Sequence, residues 1–235
     1  AIPVVVISDK VQVDIGSYVV IEAGDSIAII SRAESGLYNI AGSVAVSAGQ
    51  AGAGATIATL VIGNNVNTKI GDYVEMVAHA VMQDAMLPAG VQLPNRDTRR
   101  RGVLISATAN STLAMISGSG AVSTGNAAVA GVIHTLVLKN SVKAVVGNHV
   151  VMVAGRESST QGSAKTGDGE VLVESDDDSH IYNIAGAVSA SSNTGVGASV
   201  VVMVYDKQME ASVGDSGLII ATGGVTAQAI SKDTV

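Results

Sequence analysis

One block of sequence occurs four times in this chain and constrains the fold more than any other feature. It reads DIGSYVVIEA from Asp14, KIGDYVEMVA from Lys69, VVGNHVVMVA from Val145 and SVGDSGLIIA from Ser212. Each copy runs from an apolar residue through glycine and a polar corner into a stretch rich in Val, Ile and Met. A second block occurs three times: LYNIAGSVAVSAGQAGAGATIATLVI from Leu37, LAMISGSGAVSTGNAAVAGVIHTLVL from Leu113 and IYNIAGAVSASSNTGVGASVVVMVY from Ile181. The pentapeptide YNIAG returns unchanged at Tyr38 and Tyr182. Such self-similarity marks a repeat architecture, in which each unit buries its apolar face against the next.

The residues before the anchor glycines are Ile15, Ile70, Val146 and Val213, so the intervals are 55, 76 and 67 residues. The blocks hold while the spacing varies, which puts the insertions between blocks, on the outside of a stack of coils. At about 20–25 residues per coil, each long unit holds about three coils and the chain about ten, a rod ~48 Å long at ~4.8 Å per rung. Inside the blocks Val11, Val13 and Ile15 alternate with Gln12 and Asp14, the period of a strand with one apolar face. Val, Ile, Thr, Ser and Gly dominate where a helix would use Leu, Glu, Lys and Arg. The expected fold is all-β, a parallel β-solenoid forming a single segment over 1–235, with an irregular insertion loop over 80–102. A short helical turn is expected at most between Met82 and Leu87.

The core of such a coil must be narrow, because 47% of the residues are hydrophobic but there is no Phe, Trp or Cys and only 2% aromatic. Val, Ile, Ala, Leu and Met can fill a small cross-section repeated many times, whereas irregular globular cores use aromatic rings. Pro3, Pro88 and Pro94 stay clear of the repeated blocks, as continuous ladders require. Mean hydropathy is +0.42, yet no run of eighteen apolar residues free of charge and turn residues is present, so a membrane-spanning helix is not expected. A formal charge of −7 argues against nucleic-acid binding, which needs a basic footprint. The absence of cysteine excludes disulfides and thiolate metal sites and suits a chain exported unfolded. No basic stretch followed by an apolar one opens the sequence, which reads as a mature product or a piece of something longer.

The strings YNIAG-x-V-S-A (Tyr182 to Ala190), G-x-G-A-S-V-x-V (Gly195 to Val202) and A-x-[IV]-G-[DN] (Ala211 to Asp215) resemble the repeats of leukotoxin-type filamentous adhesins of Gram-negative anaerobes. The resemblance covers nearly the whole chain, more loosely in the earlier copies. It implies a right-handed parallel β-helix, secreted by a two-partner or autotransporter route and displayed at the bacterial cell surface for adhesion or host contact. The segment from Ala80 to Arg101 departs from that pattern. Neither Ala1 to Val6 nor Ser231 to Val235 reads as a polar cap, so self-association through the solenoid ends is expected as well.

Candidate chemistry is sparse. Gly214-Asp215-Ser216-Gly217 has the look of a protease nucleophile string, but the equivalent positions Ser17-Tyr18, Asp72-Tyr73 and Asn148-His149 make it a repeat corner. His79, His134, His149 and His180 lack metal-ligand spacing and read as surface or corner residues, His149 aligning with Tyr18 and Tyr73. Asp176, Asp177 and Asp178, with Asp168 and Glu170 shortly before, form a weak calcium candidate whose alternative is a solvated turn before Ile181. Arg96, Arg99, Arg100 and Arg101 form a basic group in the insertion. They suit docking on an acidic patch of a neighbouring molecule or on a host glycan, or are simply solvated. No cofactor is expected. The function expected is a non-enzymatic scaffold or adhesin, and the alternative is a carbohydrate-active β-helix enzyme with paired carboxylates in a lateral groove.

Overall fold

The computed structural model describes residues 2–79, 102–155 and 169–235, and the insertion carrying Pro88, Pro94 and the four arginines falls outside them. Every regular element among the described residues is a β-strand. In chain order these are β1 (Val4–Ile15), β2 (Val20–Ala23), β3 (Ile27–Ser47), β4 (Ala51–Ile70), β5 (Glu75–Ala78), β6 (Gly102–Ser123), β7 (Ala127–Val146), β8 (Val151–Ala154), β9 (Glu170–Ser191), β10 (Thr194–Val213), β11 (Leu218–Ala221) and β12 (Val225–Thr234).

They assemble into three parallel four-stranded sheets, β1-β4-β7-β10, β2-β5-β8-β11 and β3-β6-β9-β12. The chain visits the sheets in turn and returns to the first one rung higher, which makes a parallel β-solenoid. The register places each strand on its equivalent one repeat later: Val4 pairs with Thr59, Ala51 with Ala127 and Ala127 with Thr194. These offsets are the intervals of the sequence repeat. The repeat is therefore one coil, and the expected subdivision into about three coils per repeat is corrected. The three apolar stretches of each unit are the three sides of a single large coil. Four rungs replace about ten, and three steps of ~4.8 Å give a stack about 14 Å deep.

Nearly all the variation in coil length sits at one corner; the turn from the third sheet back to the first differs by a single residue, 48–50 and 124–126 against 192–193. The connection from the second sheet to the third takes residues 24–26 in the first coil, 79–101 in the second, 155–169 in the third and 222–224 in the fourth. The corner from the first sheet to the second is always four residues long, because its backbone is stacked in register with the rung below.

The interior has two parts. Where the three sheets meet, a wedge is filled by β-branched residues and methionine, among them Ile70, Val74, Met76, Ile105, Val146, Met152 and Val173. Beyond it the first and third sheets run on face to face as a flat arm, whose core holds Leu60, Ile62, Leu113, Met115, Leu136, Leu138 and Ile181. The arm thins toward its tip, where Ala121, Ala128 and Ala130 meet. A Cβ at Gly54 would run into the Gly120 carbonyl across this tip, so the AGAGA string is what permits the sheets to close there. Tyr18, Tyr38, Tyr73 and Tyr182 stay out of both parts and lie exposed, whereas Tyr205 continues an inward column of the arm at the last rung.

Candidate functional site

At the corner of constant length, Tyr18, Tyr73, His149 and Ser216 have φ of 60°, 56°, 56° and 57°. Left-handed backbone costs energy in residues with a Cβ, and here neighbouring rungs hold it. Tyr18 N–H donates to the Asp72 carbonyl, Tyr73 N–H to the Asn148 carbonyl and His149 N–H to the Asp215 carbonyl, at 2.9–3.0 Å. The rings stack in a column, Tyr18 on Tyr73 at 5.0 Å and Tyr73 on His149 at 4.6 Å. The residue before each ring makes a second column. Ser17 Oγ accepts from Asp72 N–H at 3.1 Å, Asp72 Oδ1 from Asn148 N–H at 2.7 Å and Asn148 Oδ1 from Asp215 N–H at 2.9 Å. Asp215 and Ser216 are the top members of these columns. The backbone N–H of Asp215 is already engaged, so the GDSG string serves the corner.

The acidic run is not a solvated turn. Asp176, Asp177 and Asp178 lie inside β9, and Asp176 and Asp177 are buried. Successive strand residues point to opposite faces, so the three carboxylates cannot converge on one ion. Among the described residues no group of three His, Asp or Glu is placed to hold a metal. Asp177 points into the arm, where Asn140 Nδ2 donates to its Oδ1 at 2.6 Å and Lys207 Nζ donates to its Oδ2. Lys207 also donates to Ser179 Oγ at 2.9 Å and to Asp233. Burial alone would lower the Lys207 pKa, but its hydrogen bonds to Asp177 and Asp233 outweigh that and hold it above the ordinary 10.5. Below them Asn64 Nδ2 donates to Asn140 Oδ1 at 3.2 Å and to Ser111 Oγ at 3.1 Å, and Ser35 Oγ donates to Asn64 Oδ1 at 3.0 Å. A polar ladder thus runs through the apolar arm, satisfied rung to rung as buried polar groups must be.

The histidines occupy four separate settings. His134 corrects the expectation of a surface or corner residue: it is fully buried in the arm. Its Nδ1 donates to Asn183 Oδ1 at 2.6 Å, which leaves Nε2 to accept from Ser117 Oγ. His149 belongs to the corner stack, His79 Nε2 lies 2.8 Å from Glu22 Oε1, and His180 Nε2 lies 3.4 Å from Asp178 Oδ1. His180 and Asp178 line an open groove on the outer face of the third sheet with Glu34, Asn110, Ser111 and Thr112. Arg96, Arg99, Arg100, Arg101 and Asp168 lie outside the described residues.

No family model, curated protein or solved structure matches the chain. Its chemistry is read from these positions alone. Asn64, Asn140, Lys207 and Asp233 were not singled out from the sequence. The available signal was a polar residue at an inward position of otherwise apolar alternation, as in VIGNN from Val61 and VLKNS from Val137. Among the described residues no helix is long and apolar enough to cross a membrane.

Proposed function

We propose that the chain is a non-enzymatic structural element of the bacterial cell surface, a β-solenoid unit of a filamentous adhesin or of an extracellular filament that grows end to end. The observation that carries this reading is the state of the terminal rungs. Val4, Val6 and Val20 are exposed at one end, and Val202, Val204 and Leu218 at the other. These side chains flank strands that each have a partner on one side only. Open ladder edges of this length recruit further strands. The resemblance to filamentous adhesins supports the same placement outside the cell.

Electron microscopy and fibre diffraction of the purified chain at high concentration test it. Filaments with a ~4.8 Å axial repeat are the expected result, and isolated particles at every concentration would remove the self-assembling reading. Shaving intact producing cells with protease should release the chain; retention inside the cells would remove the surface placement.

A second reading is carried by the outer groove, where Glu34 and Asp178 stand in one column with Asn110 between them. Two rung steps put them about 10 Å apart, near the upper end of the spacing that inverting glycosidases use. Release of reducing ends from surface polysaccharides, abolished by Asp178→Asn, would favour this enzyme over the scaffold.

A further inference from the structure

The two terminal rungs can be compared column by column, because the register carries every position of the first coil through the middle coils to the fourth. One column of the first sheet reads Asp9, Asn64, Asn140, Lys207. One column of the third reads Glu34, Asn110, Asp178, Lys232. Both begin with an acid and end with a lysine. Between Asp206 and Glu210 at the last rung lies the column position that Lys10 occupies at the first. The apolar core columns are open in the same sense. Val5, Leu60, Leu136 and Met203 form one, and Ile7, Ile62, Leu138 and Tyr205 another. Their middle members are fully buried, while Met203 is 37% and Tyr205 38% exposed although both point inward.

We infer that the last rung of one molecule is the docking surface for the first rung of a second copy, joined head to tail in the register that continues the solenoid. β10 receives β1 with Val202 over Val4 and Lys207 over Asp9, β11 receives β2 with Leu218 over Val20, and β12 receives β3 with Lys232 over Glu34. The corner continues too: Ser216 stands where Tyr18 of the next copy would stack, as His149 stacks on Tyr73. The joint is heterologous, so it builds an open filament and no closed dimer. It covers the wedge and the inner half of the arm. β12 pairs β9 as far as His180, so 181–191 of β9 lies outside the joint described. The inference rests on the end-to-end reading above and adds to it the partner surface, the polarity and the register.

Gly16 gives the decisive test. A Cβ at Gly71 would lie 2.7 Å from the backbone of Gly16, one at Gly147 2.7 Å from that of Gly71, and one at Gly214 2.7 Å from that of Gly147. A Cβ at Gly16 meets nothing within 4 Å, and its φ is not in the left-handed region. In the joint it would meet Gly214 of the preceding copy. Gly16→Ala is therefore expected to fold with unchanged circular dichroism and melting temperature, yet to raise the critical concentration for filaments at least about 10-fold, since overpacking against backbone is costly. Glu34→Lys and Lys232→Glu should each raise it about 3- to 10-fold, and the double exchange should restore it. Filaments that Gly16→Ala leaves intact overturn the register while the end-to-end reading stands, and a double exchange no better than the single ones overturns the charge pairing. Failure of the unaltered chain to form filaments removes the end-to-end reading itself and this joint with it.

Discussion

Leu136 and Met203 hold the same position of the repeat, two rungs of one core column, and their surroundings are opposite. Leu136 is fully buried between equivalents above and below, whereas Met203 sits on the last rung with more than a third of its surface open. The same contrast runs along most of the molecule: the middle strands are paired on both sides except over 51–58 of β4 and 181–191 of β9, and the end strands on one side only. In a solenoid the worth of a side chain depends on its column and also on how many neighbours the stack gives it.

The largest effect should come from emptying the middle of that column. Leu136→Ala is expected to cost about 2–5 kcal/mol, measured by denaturant unfolding, and Met203→Ala about 1 kcal/mol or less. Equal losses would mean that the end rung is as well packed as the middle. The corner glycines sharpen the same comparison. Gly147→Ala forces a Cβ against the Gly71 backbone and should cost about 1–3 kcal/mol, readable as a fall in melting temperature that Gly16→Ala does not share. The ring column follows. Tyr73 is stacked on both faces and Tyr18 on one, so at about 0.5–1.5 kcal/mol per stack Tyr73→Ala should lose about twice as much as Tyr18→Ala.

The smallest effect is a pH dependence confined to the last rung. Lys207 is held above its ordinary pKa by Asp177 and Asp233 against the opposing pull of burial. Tyr205 is raised by burial and by the Asp233 charge, with Lys207 opposing. In both cases the folded chain binds the proton more tightly than the unfolded one. The stabilisation is therefore whole below the unfolded values of about 10 to 10.5 and lost as pH rises through the folded ones. Thermal unfolding of the unaltered chain and of Lys207→Met should differ by a steady amount from neutral pH to about 9 and converge at more alkaline pH. A difference that grows with pH would contradict the assignment.

Much of the fold was legible because strand alternation and a fourfold block are local properties. Val11, Val13 and Ile15 announce an inward face by spacing alone, and the glycine before each corner announces a turn. The coil size was not legible, since an apolar stretch of 20 residues reads equally as one complete small coil or as one long strand forming a single side of a large coil. The acidic run was misread for a related reason. Charge in a sequence suggests solvent, but Asp177 has Lys207 and Asn140 across the arm, partners 30 and 37 residues away. His134 was misread the same way, its partners Ser117 and Asn183 lying on the opposite sheet.

The sequence by itself determined that this chain repeats, that its segments are strands, and that its core is narrow and aliphatic, because composition and period act within a few residues. Only the tertiary structure decided that one repeat is one coil, that polar side chains form a ladder through the arm, and that two acid-to-lysine columns open at opposite ends. Those features depend on which residues a parallel register brings together across intervals of 55, 76 and 67, and no local preference of the chain encodes that distance.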